Sequence, residues 1–303
     1  IMNTADNTGK DKQTRIGRYL QDFYLRHLYV TRYNWGIYRR MWALLDRSMG
    51  LLSYPFIGSR LKGWLRLENS HSQGYVVPLN RDLDYQGKGP GAVMPISMVR
   101  KAIEESSYRM IMAKCMCRDT HTCKNYPIEL GCIMLGEASR KMVSSGLGHY
   151  STVEEAVGHL ERAAQLGIVA TCAWTEIESL WFGISPQQHE RYFEICLCCP
   201  CCCIGWHQMK TVMSVPVMRD RFRSVGWRAY GTDDCVSCGQ CVDICPMEAI
   251  ELSGKGISVS DECMGCGLCA FKCPEQAIAM EEIEPMKDHI LDYFRWFRPQ
   301  VNG

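Results

Sequence analysis

The sequence predicts an α+β fold in which a mainly helical, cysteine-rich region precedes a small domain built from an internal repeat. Ser151 and Glu154 form a capping box ahead of apolar residues at helical spacing, and Gly167 ends the predicted helix. The apolar stretches YRMIMA and IVATCAW, on either side of this helix, have the length and composition of buried strands. The repeat lies further along the chain, where the motif C-x2-C-x2-C-x3-C-P occurs twice.

The composition indicates a chain that folds without cross-links and keeps its thiols reduced. Its 303 residues are 47% hydrophobic, which is enough for two or three domains with their own cores. Disulfide frameworks belong mainly to small secreted chains, and residues 1–14 lack the apolar stretch of a secretory signal. We therefore expect residues 1–14 to be a flexible tail, a cytoplasmic location, and 19 cysteines that are available to metal.

The repeated motif is typical of iron–sulfur proteins. Its copies begin at Cys235 and Cys263, and CPMEAI in the first matches CPEQAI in the second at four of six positions. Three closely spaced thiolates bind three irons of one [4Fe-4S] cube, while the cysteine before proline ligates the other cube. The spacing predicts these ligands: Cys235, Cys238, Cys241 and Cys273 for cluster 1, and Cys263, Cys266, Cys269 and Cys245 for cluster 2. A zinc ribbon, the alternative, needs only two C-x2-C pairs.

Residues 231–280 resemble a bacterial-type two-cluster ferredoxin domain. The resemblance implies two pseudo-symmetric halves, each with a short hairpin and a helix, and cluster centres close enough for electron transfer. The stretch GKGISVSDEC matches the expected hairpin between the halves, with Gly254 and Gly256 as turn residues. Since about 230 residues precede this domain, we expect it to be attached to a larger protein, with residues 281–303 as a C-terminal helical tail.

Ten further cysteines lie upstream in two segments. These are Cys115, Cys117, Cys123 and Cys132 in the first, and Cys196, Cys198, Cys199, Cys201, Cys202 and Cys203 in the second. Thiolates around one cube lie about 6 Å apart, so vicinal cysteines rarely reach two corners of the same cube. We therefore expect the second segment to be shared between two sites. The ten thiols are candidate ligands of one or two more clusters, which would bring the total to three or four.

Four other residues in or near these segments are assigned on simpler grounds. Arg118 and Lys114 are available to offset the negative charge of a cluster, and His121 is either a ligand or an exposed loop residue. Cys172, inside the predicted strand IVATCAW, is assigned to the core.

The segment from about residue 97 to 208 is similar to the N-terminal region of ferredoxin-type iron–sulfur proteins of anaerobic bacteria and archaea. The shared pattern is C-x-C-R, a further cysteine, P-x-E-x-G-C, S-x-x-E-E-A and C-x-C-C-x-C-C-C. Ala170 and Leu197 stand where that family often has histidine and asparagine. The resemblance implies an iron–sulfur domain at 96–230 and an electron-transfer subunit of an anaerobic oxidoreductase complex, with redox partner subunits that carry flavin or metal.

Two alternative functions stay open. The upstream cysteines could form a catalytic centre that reduces a disulfide or a small molecule, with Cys199 and Cys202 as the unligated, reactive thiols, or the protein could be a redox sensor. The sequence contains no phosphate-binding loop, no dinucleotide fingerprint after a strand and no covalent haem motif. We therefore assign no catalytic residue and no organic cofactor site.

Residues 15–95 are predicted to be a basic, aromatic-rich and mostly helical docking segment. Residues 15–66 carry nine arginines and one lysine against two aspartates, whereas residues 233–303 carry 13 acidic and five basic side chains. Docking to a partner subunit is preferred because interfaces favour arginine and aromatic residues. Peripheral contact with an anionic membrane face and a helical cover over the protein's own clusters are the alternatives. No nucleic acid is expected, and no apolar run approaches the 18 residues of a membrane span.

Overall fold

The computed structural model describes most of the chain from residue 94 onward and shorter parts before it. The described residues are 35–49, 72–80, 82–86, 94–175, 182–184, 186–207, 221–254, 256–295 and 298–302. The predicted tail 1–14 and most of the basic segment lie outside the described residues. None of the described helices is long and apolar enough to cross a bilayer.

The described residues contain both helices and strands, and all strand pairs but one are antiparallel, which agrees with the α+β class. The helices are α1 (Trp35–Met49), α2 (Pro95–Glu105), α3 (Met116–Thr120), α4 (Arg140–Ser144), α5 (Val153–Gln165), α6 (Gln240–Ile244) and α7 (Leu268–Lys272). The strands are β1 (Gln73–Val77), β2 (Arg109–Met112), β3 (Ile133–Leu135), β4 (Gly148–Tyr150), β5 (Val169–Trp174), β6 (Phe193–Cys198), β7 (Phe222–Ser224), β8 (Trp227–Gly231), β9 (Ile250–Ser253), β10 (Gly256–Val259) and β11 (Ile278–Glu282). Short 3-10 turns occupy Glu137–Ser139, Pro186–Arg191 and Ile290–Tyr293.

A seven-stranded sheet in the order β4-β2-β3-β6-β5-β1-β7 forms the centre of the upstream region. All neighbouring pairs are antiparallel except β1 and β7, which are parallel. Every residue of β1, β2, β3 and β5 is buried, so both faces of the middle of the sheet are covered. The apolar runs predicted as strands are β2 and β5. The sheet also recruits β1 from the basic segment 15–95, so the sheet region begins before residue 96.

Helix α5 forms where its apolar spacing predicts, with a cap one residue later than expected. The cap is Thr152, whose hydroxyl accepts a hydrogen bond from the Glu155 backbone N–H at 3.2 Å, whereas Ser151 is buried before the helix. Both residues carry a hydroxyl that can cap, and the helix start decides between them. Gly167 follows the helix with φ +68°, as expected for its end. The helix buries one face, made of Ala156, Val157, Leu160, Ala163 and Ala164.

The C-terminal repeat folds into two linked halves. β9 and β10 pair as the predicted hairpin with Gly254 at φ +59°, β8 pairs with β11, and α6 contacts α7. This unit packs against the sheet region, since a Cβ added at Gly167 would lie 2.2 Å from the ring of Phe271. The close approach shows why glycine suits this position.

The C-terminal segment 281–303 differs from the predicted helical tail. Its described part begins with the last two residues of β11, contains one 3-10 turn, Ile290–Tyr293, and is otherwise irregular. The Val301 carbonyl accepts a hydrogen bond from the backbone N–H of Ser107 at 2.9 Å, and Val301 is buried. The segment therefore lies against the sheet region, where its backbone bonds to a distant part of the chain in place of forming helical bonds.

Candidate iron–sulfur and metal centres

The four cysteines predicted for cluster 1 line one cavity. Cys235, Cys238 and Cys241 come from the loop that runs into α6, and Cys273 comes from the end of α7. Cys238 is exposed and Cys241 is buried. Burial raises the pKa of the Cys241 thiol. One edge of this cavity is therefore open to solvent.

The four cysteines predicted for cluster 2 line a second cavity. Cys263, Cys266 and Cys269 surround it together with Cys245 from the first half. Burial raises the pKa of Cys266 to about 12 and that of Cys269 well above its usual value. Such thiols stay protonated unless a cation binds, and a coordinated iron deprotonates them outright. This second site is the more enclosed of the two.

The backbone around the two cavities repeats with the cysteines. Three pairs of residues, each 28 positions apart, have matching positive φ angles: Ser237 (55°) and Gly265 (58°), Gly239 (81°) and Gly267 (75°), Glu248 (53°) and Gln276 (52°). The backbone N–H of Ala249 donates to Cys245 Sγ, and that of Ala277 donates to Cys273 Sγ, each at 3.3 Å. Donors aimed at sulfur stabilise cluster thiolates. Four thiols and their donors around each cavity fit a [4Fe-4S] cube.

Six upstream cysteines converge on one site, which we call the six-thiol group. Its members are Cys115, Cys117, Cys132, Cys196, Cys198 and Cys203. Thiol hydrogen bonds join them in the order Cys198, Cys203, Cys117, Cys115, Cys132, Cys196. Because Ile133 pairs with Ile195, the register of β3 and β6 sets Cys132 beside Cys196, and Cys198 follows on the same face of β6. The sheet register thus brings together cysteines that lie far apart in the sequence.

The crowding of the six-thiol group limits how many of its members are ionised without a metal. Hydrogen bonds from Cys117 and Cys132 hold the pKa of Cys115 well below its usual value. The bond to Cys115 in turn raises the pKa of both donors, and bonds to Cys117 and Cys198 raise that of Cys203. A cationic iron core removes this conflict by binding several thiolates together.

The other four upstream cysteines form a tight thiol tetrad of Cys123, Cys199, Cys201 and Cys202. All four sulfurs lie within 4.8 Å of one another. Cys201 Sγ lies 3.8 Å from Cys123, 4.0 Å from Cys199 and 3.5 Å from Cys202. Cys201 is exposed, whereas Cys199 and Cys202 are buried. The two cysteines that the catalytic alternative treats as spare thiols therefore lie together in a compact group of potential ligands.

Arg118 lies between the two upstream groups and is fully buried. Its guanidinium donates to the backbone carbonyls of Pro127 and Leu197, each at 2.9 Å, and to that of Leu130. Burial alone would lower the pKa of Arg118, but thiolates at Cys115 and Cys199 keep it raised. The predicted charge compensation thus rests on Arg118, since Lys114 is largely exposed and lies 3.9 Å from Asp119.

Helix α1 packs against α3 next to the thiol tetrad. Asp46 on α1 lies 3.4 Å from His121 Nε2 and 3.8 Å from His207 Nδ1, and the two imidazole rings are 5.8 Å apart. His121 is therefore a partner of Asp46, at the C-terminal end of α3. For α1, this contact favours the alternative of a helix that covers the protein's own cysteine region.

Two residues near the upstream cysteines, Glu194 and Cys172, show what the sequence did and did not predict. Glu194 is 1% exposed, and its Oε2 lies 3.9 Å from Cys196 Sγ and accepts a hydrogen bond from the Tyr192 hydroxyl at 2.9 Å. Its position two residues before Cys196 puts both side chains on the same face of β6, and that alternation was the available signal. Cys172 is fully buried in β5, as assigned, and lies in neither upstream group.

The comparisons with known proteins bear on the C-terminal repeat. Residues 234–277 match the family model of the 4Fe-4S dicluster domain, inside the predicted range 231–280. No curated protein and no solved structure matches the chain. Together with the two four-cysteine cavities, the match shows that the protein carries a ferredoxin-type 4Fe-4S dicluster domain that binds iron–sulfur clusters.

Proposed function

We propose that the protein is an electron-transfer subunit of an anaerobic oxidoreductase complex. Electrons pass through the two clusters of the dicluster domain and a third cluster held by the six-thiol group. The proposal includes a cytoplasmic location and a redox partner subunit that carries flavin or metal.

The observation that carries this proposal is a shared apolar cluster between the six-thiol group and the second cavity. Cys198 and Cys203 pack in one buried cluster with Met264 and Leu268, and Cys266 packs against the same cluster. Met264, Leu268 and Cys266 also line the second cavity. A layer of apolar side chains therefore separates the two sites, and it excludes water from the path between them. This arrangement suits electron transfer from one buried centre to the next.

Electrons would enter or leave the row of clusters at the surface of the dicluster domain. Cys238 is exposed at the first cavity, so cluster 1 would be the centre nearest to a partner. Residues 233–303 carry a net charge of −8, from 13 acidic and five basic side chains. Complementary charge would speed association with a basic partner surface. The basic segment 15–66, most of which lies outside the described residues, would provide a second docking surface or a peripheral membrane contact.

The relay is tested by counting clusters in anaerobically purified protein. Two cubes contribute about eight iron and eight sulfide ions, and a third cube brings each total to about twelve. In a variant with Cys115, Cys117 and Cys132 all changed to Ser, the six-thiol group keeps one thiolate fewer than a cube requires. We expect the iron and sulfide of one cluster to be lost, while the paramagnetic resonance signals of the dicluster domain persist.

A matched control removes a thiol that belongs to neither upstream group. Cys172→Ala should keep all cluster signals, since Cys172 lies in the core. If the native protein contains only about eight iron and eight sulfide ions, the relay has no third cluster and the proposal fails. Persistent dicluster signals in the triple variant show that the dicluster domain has folded, and a circular dichroism spectrum equal to that of the native protein would show that the upstream sheet has folded as well.

A second candidate function, a reductase, rests on Glu194 and on the number of thiols. Six thiols exceed the four that a cube needs, and the buried Glu194 carboxyl lies beside Cys196 as a potential proton donor. The test is reduction of a soluble aromatic disulfide by the chemically reduced protein. If Glu194→Gln keeps every cluster signal but loses turnover, catalysis is supported. If the native protein shows no turnover, the reductase function is excluded for that substrate class.

A further inference from the structure

We infer that the thiol tetrad of Cys123, Cys199, Cys201 and Cys202 binds a single metal ion directly, with no sulfide bridges. A tetrahedral ion with metal–sulfur bonds of about 2.3 Å requires sulfur–sulfur distances of about 3.8 Å. The thiolates around a cube lie about 6 Å apart. The distances of 3.8, 4.0 and 3.5 Å from Cys201 to the other three sulfurs match the single ion.

The dicluster domain provides an internal standard for this distinction. In the part of the chain that the structure describes, no three of its eight cysteines have sulfurs within 4.8 Å of one another. The same holds among the described members of the six-thiol group. The six-thiol group is a chain in which successive thiols are hydrogen-bonded, whereas in the tetrad all four sulfurs are close to one another. A cube needs space between its thiolates for iron and sulfide. The tetrad leaves no room for such a core.

The surroundings of the tetrad suit thiolate ligands. A divalent ion with four thiolates carries a net charge of about −2, and the buried guanidinium of Arg118 donates to Cys199. Asn125 donates from Nδ2 to Cys201 Sγ at 3.8 Å, and the backbone N–H groups of Asn125 and Tyr126 donate to Cys123. Burial raises the pKa of Cys123, but these bonds and one from Cys202 outweigh it, so that its pKa is lowered.

The chemistry of the donor set selects the class of ion. A tetrahedral site of four thiolates favours Zn²⁺ or iron among the metals that proteins commonly bind. The ion would tie the loop after α3 to the loop after β6, since Cys123 and Cys201 are 78 positions apart in the chain. Such a cross-link lowers the entropy of the unfolded chain, so the binding energy contributes to folding. The inference does not depend on the proposed relay.

The test uses Cys201→Ser in the full chain, purified without oxygen. Cys201 is exposed, so this change spares the core. Zinc, iron and acid-labile sulfide are counted per chain. We expect the variant to lose one metal ion per chain with its sulfide unchanged: one zinc if the ion is Zn²⁺, or one iron in excess of sulfide if it is iron. X-ray absorption at the edge of that metal should show four sulfur neighbours at about 2.3 Å in the native protein.

Two matched variants separate this site from its neighbours. Cys238→Ser, at the exposed ligand position of cluster 1, should lower iron and sulfide together and keep the tetrad's ion. His207→Gln disrupts the compact group of Asp46, His121 and His207 and should also keep that ion. The inference is overturned if Cys201→Ser loses sulfide together with iron, which indicates a cluster, or if it loses no metal at all.

Discussion

The dicluster domain and the upstream cysteine region hold thiols in opposite ways. In the dicluster domain, three ligands of each site come from one short loop, and the fourth comes from the other half of a 28-residue repeat. In the upstream region, Cys196–Cys203 supplies three thiols to each of two sites, and the segment Cys115–Cys132 supplies three to one and one to the other. Each dicluster site is local to a loop, whereas each upstream site depends on the sheet.

The difference shows how the spacing of cysteines along the chain determines the distances between their sulfurs, and with them the kind of metal group that fits. A loop with glycines at positive φ spreads its thiols around a cavity. A turn with vicinal cysteines brings its thiols within 4.8 Å of one another, close enough for one ion. Vicinal cysteines also divide between sites, since Cys198 belongs to the six-thiol group and Cys199 to the tetrad. One short segment thus contributes to two separate thiol groups.

The largest expected effect on stability and metal content comes from replacing Arg118, and it should be confined to the upstream region. Arg118→Gln removes a buried charge and leaves carbonyls of Pro127, Leu130 and Leu197 without their donor. Removing one partner of a buried charged network costs about 3–5 kcal/mol. We expect a lower urea midpoint and loss of metal from both upstream groups, while the signals of the dicluster domain persist.

Arg118→Lys is the matched control, since it keeps the charge without the planar fork of donors. It should fall between the native protein and Arg118→Gln in both metal content and urea midpoint. If Arg118→Gln loads the upstream groups fully, Arg118 has no part in balancing their charge. If the dicluster signals disappear as well, the two regions are less independent than their architecture indicates.

An intermediate effect, on cluster 2 alone, is expected inside the dicluster domain. There the equivalent positions 237 and 265 hold different residues, serine and glycine. Ser237 and Gly265 have nearly the same φ, but a Cβ at Gly265 would lie 2.0 Å from the backbone oxygen of Trp227. Forcing a side chain into this space costs about 1–3 kcal/mol. Gly265→Ser should therefore weaken cluster 2 and remove the spin coupling between the two clusters in paramagnetic resonance spectra, while the upstream metal content is unchanged.

Ser237→Gly is the reciprocal change and should leave both clusters in place, because glycine adopts the same backbone conformation freely. Equal damage from both substitutions would mean that the contact with Trp227 is not what distinguishes the two halves. An intact second cluster in Gly265→Ser would lead to the same conclusion.

The smallest expected effect is a dependence of the stability of the upstream region on pH, caused by protonation of His159. Its Nε2 donates to the Gly131 carbonyl at 2.8 Å, and burial lowers the pKa of His159 below 6.5. The unfolded chain therefore takes up a proton near that pH before the folded chain does. Stability should fall as the pH drops below about 6.5, and it should be restored above it.

Unfolding by urea at pH 7.5 and pH 5.5 would measure this dependence. His159→Gln keeps a hydrogen-bond donor but does not titrate, so the midpoint of this variant should change less between the two pH values. An identical change in both proteins would assign the pH dependence to other groups.

The sequence alone was sufficient for the dicluster domain and only partly sufficient for the upstream region. Three ligands of each cube lie in one loop at a fixed spacing, and the fourth is the cysteine before proline in the other half. The spacing of the cysteines therefore predicts which of them surround each cavity. The division of Cys196–Cys203 between two sites followed from the divergence of vicinal side chains. The sequence did not predict which thiols lie next to each other, because Cys132 is brought beside Cys196 only by the register of β3 and β6. β1 was missed because it is five residues long and only its last three residues, Tyr75, Val76 and Val77, are apolar.

The central place of β6 in the seven-stranded sheet has a consequence for how the protein is loaded with metal. β6 pairs with β3 on one side and β5 on the other. It carries Cys196 and Cys198 of the six-thiol group, and the segment directly after it carries Cys199, Cys201, Cys202 and Cys203. These pairings join distant parts of the chain and form slowly compared with local contacts. We expect maturation to follow a fixed order, in which the dicluster domain can accept iron and sulfide early while the upstream centres wait for the sheet. Pulse-labelled iron uptake during refolding would reveal this order.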